Sequence, residues 1–548
     1  MLVAEAVGRA VAALGADRVF GVVGSGNFHV TNALVAAGAP FVAARHEGGA
    51  ATMADAYARM SGRLGVLSVH QGPGLTNAMT GITEAAKSRT PLLVLAADTG
   101  AAAVRSNFRI DQSGLVIAAG AVAERVHSPG SALADTARAA RRALLERRTV
   151  VLSLPLDVQA MELPDGSDEL PPAPELHLPA PAPAAVTALA DLLAGARRPV
   201  FLAGRGGRLA GAELSALANR CGALLATSAV ARGLFAGHPW SLDVSGGFAS
   251  PLAAELIGGA DVIVAWGCAL NMWTTRHDRL ISPRTTVAQV DLDPDAIGAH
   301  RPVQVGALGD VAATAAAVDA EMAGRGHRSA GYRGQAVADR LATSLRWRDV
   351  PYQDTSTATA IDPRTLSIAL DDLLPAERLV AVDSGNFMGY PSMYLAVPDE
   401  QGFCFTQAFQ SIGLGLATAI GAALAQPGRL TVAALGDGGA LMSIAELDTA
   451  VRLRLPLVVV IYNDSAYGAE VHHFGPDGFP LDTVRFPDTD LAAVGRGFGA
   501  TGVTIRTPDD LAALPDWLAG RRDAPLVLDA KVTADDGAWW LAEAFRGH

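Results

Sequence analysis

Two aspartates at the ends of neighbouring predicted strands could hold a divalent cation. In LTVAALGDGGALMSIAELDTAVRLRLPLVVVIYND, the pattern predicts a strand ending at Asp437, a Gly-Gly turn, a helix over about 441 to 453, and a strand ending at Asp464. A βαβ crossover of this kind places both carboxylates at the carboxyl edge of one parallel sheet, where ligands bind. Two side-chain oxygens and a loop carbonyl suit Mg²⁺ or Ca²⁺.

The residues between these aspartates add a possible phosphate site. Gly438 and Gly439 allow the backbone to approach a ligand closely, and the helix N-terminus after them offers free N–H groups to a phosphate. Either motif alone could be a turn or a helix cap. Their coupling across one crossover favours a joint metal and phosphate site.

The elements that must position these residues alternate between apolar runs and Ala/Leu-rich helical stretches. This alternation is typical of an α/β protein with mainly parallel sheets flanked by helices. The predicted strands are RVFGVV, PFVAARH, LGVLSV, PLLVLAA and TVVLSLP, then RPVFLAG, ALLATS, ADVIVAWG and TVAQVDLD, and finally RLVAVDSGN, LTVAALGDG, PLVVVIYND and APLVLDAKV.

Two interruptions of this pattern predict the domain boundaries. The segment from Leu170 to Val186 is rich in Pro and Ala and predicts an extended linker, and the pattern weakens again around 325 to 358. We therefore predict three domains, at 1–168, 187–325 and 356–548.

Composition and charge disfavour several classes of partner. The net charge of −12 gives no electrostatic footprint for nucleic acid or for an anionic membrane. No segment is an unbroken apolar run of membrane-spanning length, and three separated cysteines indicate neither a disulfide framework nor a zinc site. A cytoplasmic enzyme is therefore expected. A nicotinamide dehydrogenase is disfavoured because GVVGSGNFH has His29 where the third glycine of a dinucleotide fingerprint belongs.

The unit from Asp437 to Asp464 resembles the thiamine-diphosphate motif of the acetolactate synthase, benzoylformate decarboxylase and pyruvate decarboxylase superfamily. The resemblance implies two thiamine-diphosphate-binding folds with a Rossmann-like domain between them. It also implies bound thiamine diphosphate and Mg²⁺, with Asp437, Asp464 and the carbonyl of Ala466 as metal ligands. The family has Asn at position 464. Since Asp also binds Mg²⁺, the site is expected to survive with one more negative charge.

A second motif, RHE in PFVAARHEGGAATMADAYARMSG, is similar to the family segment that carries a catalytic glutamate. The resemblance implies that Glu47 contacts N1′ of the aminopyrimidine ring and activates the cofactor. By position alone, Glu47 could be a first-turn residue favoured by the helix dipole. In the family this glutamate and the diphosphate site belong to different subunits, which implies a homodimer or homotetramer with active sites between subunits.

Three further segments resemble parts of the family that contact the cofactor: SVHQGPG, AFQSIGLG and VDSGNFMG. Together with the first motif, they assign cofactor binding to Gln71, Gly385, Asn386, Ile412, Gly436, Gly438, Gly439, Asn463 and Tyr467. The middle domain resembles the FAD-carrying or vestigial domain of the family. FAD is not expected, because WGCALNMWTTRHDRL departs from the flavin-contacting stretch of acetolactate synthases.

Polar residues around the predicted cleft indicate the reaction. His70 stands where benzoylformate decarboxylase carries a functional histidine, and Ser25 matches a substrate-binding serine. Glu470 matches a proton-donating acid of pyruvate decarboxylases. The predicted catalytic residues are Glu47, His70 and Glu470, and the predicted substrate contacts are Ser25, His29 and His472. The sequence does not choose between His472 and His473.

The leading hypothesis is a thiamine-diphosphate- and Mg²⁺-dependent lyase that acts on a 2-oxo acid. It would decarboxylate the acid, with or without carboligation to an aldehyde or a second oxo acid. The alternative within the family is an acetolactate synthase-like transferase that joins two 2-oxo acids. The alternative of another class is a catalytically silent thiamine-fold protein with a binding or regulatory role, which only Asp464 supports.

Overall fold

The computed structural model describes residues 1–166, 169–172, 177–534 and Trp540. These residues form three α/β domains, each with a six-stranded parallel sheet flanked by helices, and the predicted fold class is confirmed. The exact domain boundaries stay predictions. The boundary at 168, and the C-terminal domain beyond 534 except for Trp540, lie outside the described residues. None of the helices in the described ranges is long and apolar enough to cross a membrane.

The N-terminal domain contains the first six strands of the chain. They are β1 (Val19–Gly21), β2 (Phe41–Ala43), β3 (Gly65–Val69), β4 (Leu92–Asp98), β5 (Val122–Arg125) and β6 (Thr149–Pro155). The helices are α1 (Val3–Ala13), α2 (Phe28–Ala36), α3 (Glu47–Ser61), α4 (Pro73–Lys87), α5 (Gln112–Ala118), α6 (Ala132–Leu145) and α7 (Leu156–Gln159). The strands pair in the order β2-β1-β3-β4-β6-β5.

The middle domain contains the next six strands. They are β7 (Pro199–Ala203), β8 (Leu224–Thr227), β9 (Ser241–Val244), β10 (Val262–Trp266), β11 (Thr286–Asp291) and β12 (Val305–Leu308). The helices are α8 (Pro183–Gly195), α9 (Gly211–Cys221), α10 (Pro251–Gly258), α11 (Met272–Thr275), α12 (Val311–Gly324) and α13 (Gln335–Ser344). The strands pair in the order β12-β11-β10-β7-β8-β9.

The C-terminal domain contains the last six strands. They are β13 (Arg378–Val382), β14 (Phe403–Phe405), β15 (Leu430–Gly436), β16 (Leu457–Asn463), β17 (Thr501–Ile505) and β18 (Leu526–Lys531). The helices are α14 (Pro363–Leu373), α15 (Gly389–Tyr394), α16 (Gly415–Ala425), α17 (Asp437–Ser443), α18 (Glu446–Arg452), α19 (Gly468–Phe474), α20 (Leu491–Gly497) and α21 (Ala513–Ala519). The strands pair in the order β14-β13-β15-β16-β18-β17.

The N- and C-terminal domains share one hydrophobic core, in which α3 packs against α16. A buried ion cluster crosses the same interface. Arg59 of α3 pairs with Asp55 and with Glu84 of α4, and Glu84 accepts the N–H groups of Ala408 (3.1 Å) and Phe409 (2.6 Å) in the C-terminal domain. Burial alone would raise the pKa of Glu84, but Arg59 and the two N–H donors outweigh it and lower that pKa. The charged carboxylate therefore stabilises the interface.

Replacing Glu84 with Gln should lower the free energy of unfolding by about 3 kcal/mol, because it leaves the buried Arg59 guanidinium with one partner fewer. Since the pKa of Glu84 is lowered in the fold, its contribution is present at neutral pH and is lost as the pH falls through that lowered value. Urea denaturation at pH 7 measures the change.

The matched control is Glu146→Gln, which removes an exposed pair with Arg142 and should cost less than about 1 kcal/mol. Equal effects of both variants would contradict the assignment.

Candidate active site

A cavity of about 1700 Å³ contains the carboxyl edge of the C-terminal sheet and extends to the middle domain. Asp437 begins α17 directly after β15, and Asp464 directly follows β16. Because β15 and β16 are parallel neighbours, the two carboxyls lie beside each other at the same edge of the sheet. Burial raises the pKa of Asp437, and burial together with the charge of Asp437 raises the pKa of Asp464. A buried carboxyl beside a half-buried one forms a site that a divalent cation would neutralise.

The crossover between the two aspartates departs from its predicted form. The sequence predicted a Gly-Gly turn and one helix over about 441 to 453, but α17 begins at Asp437 and a second helix, α18, begins at Glu446. A carboxylate at the first helical position is favoured by the helix dipole. Gly438 and Gly439 therefore lie in the first helical turn, whose N–H groups have no partner within the helix.

The backbone and the buried polar groups of this cavity fit a metal-bound diphosphate. A Cβ on Gly468 would clash with the carboxylate of Asp464, so this close approach requires glycine. Asn386 Oδ1 and Gln407 Nε2 are buried, belong to residues that line the cavity, and have no hydrogen-bond partner within the described chain. Buried polar atoms usually have partners, so these atoms indicate a polar ligand.

The structure brings most of the predicted C-terminal residues to this cavity. They are Gly385, Asn386, Ile412, Gly436, Asp437, Gly438, Gly439, Asp464, Ala466, Tyr467 and Glu470. The sequence predicts that Asn463 contacts the cofactor, but Asn463 is not among the described residues that line the cavity. Its amide donates to Asp529 (2.8 Å) and accepts from the N–H of Ser465 (3.1 Å), so it holds the turn that carries Asp464. His472 lies on α19 and is not among the lining residues.

Asp383 contributes to this half of the site although the sequence reasoning did not single it out. Its buried carboxylate follows β13 and accepts the N–H groups of Gly413 (3.0 Å) and Leu414 (3.2 Å), directly after Ile412. Burial raises the pKa of Asp383 to about 6. Asp383 thus positions the loop of Ile412. In the sequence, the only signal for Asp383 is its position at the end of a predicted strand, which is also the signal for Asp437.

A second group of predicted residues gathers at the carboxyl edge of the N-terminal sheet. Glu47 is the first residue of α3, and its carboxylate accepts a hydrogen bond from Asn77 Nδ2 of α4 (3.1 Å). Nearby, His70 Nε2 lies 3.4 Å from Ser25 Oγ, and the His70 ring packs edge-on against Phe108. A Cβ added to Gly74 would lie 3.0 Å from the His70 side chain and 3.6 Å from the Glu47 carboxylate, so the pair and the glutamate share one region.

Two other predicted residues differ in their placement around this group. Gln71 is buried beside Gly26, and its Oε1 has no hydrogen-bond partner in the described residues. His29 lies on the exposed side of α2 with its ring against Phe28. The structure therefore groups Gln71 with the predicted site and leaves His29 on the surface.

Within one chain, the two groups remain separate half-sites. Glu47, His70 and Gln71 are not among the described residues that line the cavity of Asp437 and Asp464. The N-terminal half-site offers a carboxylate and a histidine, whereas the C-terminal half-site offers a cation and phosphate cradle.

Comparison with known families assigns both half-sites. A family model described as "Thiamine pyrophosphate enzyme, N-terminal TPP binding domain" matches residues 1–133, and the corresponding central-domain model matches residues 186–318. The model described as "Thiamine pyrophosphate enzyme, C-terminal TPP binding domain" matches residues 383–530. The chain belongs to the thiamine pyrophosphate enzyme family. Each half-site of this thiamine pyrophosphate enzyme thus lies in a TPP binding domain, and the prediction of a thiamine-diphosphate-dependent enzyme is confirmed.

Several relatives of this thiamine pyrophosphate enzyme align over nearly its whole length. It is 32% identical to a probable 2-ketoarginine decarboxylase of Pseudomonas aeruginosa, over 93% of this chain and 90% of the relative. It is 29% identical to a sulfoacetaldehyde acetyltransferase of Rhodobacter capsulatus, over 92% of this chain and 90% of the relative. It is 28% identical to an acetolactate synthase large subunit of Parasynechococcus marenigrum, over 96% of this chain and 86% of the relative.

Proposed function

We propose that this enzyme decarboxylates a 2-oxo acid with thiamine diphosphate and Mg²⁺, with or without carboligation to an aldehyde or a second oxo acid. The observation that carries the proposal is the pair of half-sites on one chain. Asp437 and Asp464 form a cation cradle in one TPP binding domain, and Glu47 lies near the Ser25–His70 pair in the other. The names of a decarboxylase and of an acetyltransferase among the relatives support both outcomes.

We further propose that the working enzyme is a homodimer or homotetramer in which the two half-sites meet across subunits. Apolar side chains are exposed near both half-sites: Phe28 and Phe108 near the first, and Phe409, Leu441 and Met442 near the second. Exposed apolar surface of this kind is typical of protein interfaces. The free, buried cysteines Cys221, Cys268 and Cys404 support our proposal of a cytoplasmic location.

The residues of the chain then divide into binding and proton-handling groups. When bound, thiamine diphosphate supplies a nucleophilic carbon and an electron sink for the bond that breaks. Asp437, Asp464 and the carbonyl of Ala466 would hold Mg²⁺, and Ile412 would contact the cofactor. Glu47 would hold a proton at the aminopyrimidine nitrogen. His70 and Glu470 would move protons at the substrate.

An acetolactate synthase-like transferase is the second candidate function. The similarity to an acetolactate synthase large subunit over 96% of this chain favours it. A purified protein that is yellow with bound FAD, and that joins two 2-oxo acids, would select this candidate over the first.

A panel of 2-oxo acids tests the proposed function. The purified protein with thiamine diphosphate and Mg²⁺ should release CO₂ from at least one member, and product analysis should show an aldehyde or an acyloin. CO₂ release that depends on two different 2-oxo acids would indicate the transferase instead. No turnover with any member, in a protein that binds the cofactor, would contradict both.

The affinity for Mg²⁺ should rise with pH. Because Asp437 and Asp464 have pKa values raised above the ordinary aspartate range, the folded protein keeps protons there that an unfolded chain has lost. Raising the pH through these raised values therefore destabilises the metal-free fold, and Mg²⁺ must displace the protons to bind. Below these values we expect affinity to change about tenfold per pH unit for each proton displaced. Mg²⁺ titrations at fixed thiamine diphosphate between about pH 5.5 and about pH 7.5 measure this slope. Asp464→Asn should make it shallower, and an unchanged slope in that variant would contradict the shared site.

A further inference from the structure

A carboxylate of the C-terminal domain reaches across the domain interface to the start of α3. Glu446 begins α18, is 1% exposed, and accepts the backbone N–H of Arg45 (3.1 Å) and of His46 (3.0 Å). Its second oxygen accepts the hydroxyl of Thr449 (2.7 Å), which fixes the carboxylate from its own helix. All of these contacts lie within one chain and do not require a partner subunit.

The two N–H groups held by Glu446 immediately precede Glu47. N–H groups at a helix start have no partner within the helix, and a buried donor without an acceptor destabilises the fold. Since Glu446 is almost fully buried, water cannot easily replace it as an acceptor. The first turn of α3 also lies directly on this carboxylate, because a Cβ on Gly49 would clash with it.

A second carboxylate close to the start of α3 contacts a side chain there and not the backbone. Asp448, on the same helix as Glu446, forms an ion pair with the side chain of Arg45, which is half exposed. This ion pair holds only the long, solvent-exposed side chain of Arg45, so it does not fix the backbone before Glu47. Of these two carboxylates, Glu446 alone accepts backbone N–H groups at the start of α3.

We infer that Glu446 is a positioning residue that sets the place of the Glu47 carboxylate by holding the backbone of Arg45 and His46 from the other TPP binding domain. The inference rests on the proposed role of Glu47 in activating the cofactor. Glu446 touches neither substrate nor cofactor. Its effect should therefore appear in the step that Glu47 serves and not in the binding of Mg²⁺ and diphosphate.

Exchange of the C2 proton of bound thiamine diphosphate for deuterium reports that step directly. The protein is loaded with thiamine diphosphate and Mg²⁺, mixed with D₂O, quenched with acid, and the cofactor is examined by NMR. Glu446→Ala should slow exchange by about 10- to 100-fold, because a displacement of about 1 Å at a reacting group has effects of this size. The rise in melting temperature produced by thiamine diphosphate with Mg²⁺ should stay as in the unaltered protein.

Two further variants distinguish the effect of the side-chain length at position 446 from the effect of its charge. Glu446→Gln keeps an oxygen at the same distance, and because burial raises the pKa of Glu446, a neutral isostere is tolerated there. It should stay within about threefold of the unaltered exchange rate, a difference below the 1.4 kcal/mol that corresponds to tenfold. Glu446→Asp keeps the acid but withdraws it by one methylene, so it should slow exchange even if the alanine variant does not fold. Asp448→Asn is the matched control and should leave exchange unchanged.

The outcomes distinguish this inference from the proposed function. If the unaltered protein shows no exchange beyond that of free cofactor, or if Glu47→Gln exchanges normally, the proposed function fails. If exchange depends on Glu47 but Glu446→Asp and any folded Glu446→Ala exchange at the unaltered rate, only the positioning role is overturned. An equal loss of exchange and of cofactor-induced stabilisation would also overturn it, because it would indicate a general structural role.

Discussion

Replacing Glu47 with Gln should lower kcat for 2-oxo acid decarboxylation by about 10²- to 10⁴-fold, the range that one positioned acid or base contributes. Glutamine keeps the size of the side chain and its contact with Asn77 but cannot take up or release the proton. Cofactor binding should persist, because the cation and phosphate cradle lies in the other TPP binding domain. Steady-state CO₂ release and the melting temperature with thiamine diphosphate and Mg²⁺ measure the two effects.

The control for this variant is Glu47→Asp, which retains an acid on a shorter side chain and should retain more activity than the amide. Full turnover by Glu47→Gln would remove Glu47 from the mechanism. Loss of cofactor-induced stabilisation in the same variant would mean that Glu47 acts in binding and not in proton transfer.

Replacing Asp437 with Ala should abolish the stabilisation that Mg²⁺ and thiamine diphosphate give to the protein. At a ligand concentration 100 times the dissociation constant, that stabilisation is about 2.7 kcal/mol. Asp437 supplies a ligand oxygen at the start of α17, and alanine supplies none. Melting curves with and without the two ligands measure the loss.

Asp464→Asn is the matched partner of this variant and should behave differently. The amide oxygen can still bind Mg²⁺, and the substitution removes one of two neighbouring carboxyls whose pKa values are raised. We therefore expect retained cofactor binding and a ligand-free protein that is more stable than the unaltered one at neutral pH. Loss of binding in Asp464→Asn would mean that the surrounding site requires the additional charge.

The sequence predicted the interior of each sheet and missed most of its edges. All thirteen predicted strands are present, and within the described residues the five further strands are β5, β9, β12, β14 and β17, each at the edge of its sheet. A central parallel strand is buried on both faces and reads as a continuous apolar run. Four of the missed strands are partly exposed along their length, and the fifth, Phe403–Phe405, is only three residues long. Neither kind produces a long apolar run.

The candidate site was predictable to the extent that its chemistry lies in local motifs. Asp437, Asp464 and Glu47 each lie at the start of a helix or directly after a strand, where a carboxylate indicates a binding or catalytic role. The resemblance to the thiamine-diphosphate motif assigns Asn463 to the cofactor, but only the fold shows that its amide donates to Asp529. Such a contact depends on which strands become neighbours, which the local pattern does not state.

The supporting carboxylates were missed for a related reason. Asp383 and Glu446 bind backbone N–H groups of segments that are distant in the chain, and nothing in their own surroundings marks that partner. Glu84 likewise reads as an ordinary residue of an amphipathic helix until Phe409 is placed beside it. For Glu84 and Glu446, the signal in the sequence is an acid on the apolar face of a helical pattern, because charged residues are seldom buried unless they are paired.

The hydrogen bonds between Glu446 and the start of α3 also affect how the chain folds during its synthesis. The Glu446 carboxylate meets the N–H of His46 across 400 positions of sequence, with the whole middle domain made in between. At about 5 to 20 residues per second, a ribosome needs roughly 20 to 80 s to cover that distance. During this interval the nascent N-terminal domain has α3 without the acceptor that anchors its first turn. The segment that carries Glu47 is thus completed only near the end of translation, and a chain truncated before Glu446 would leave it unfinished.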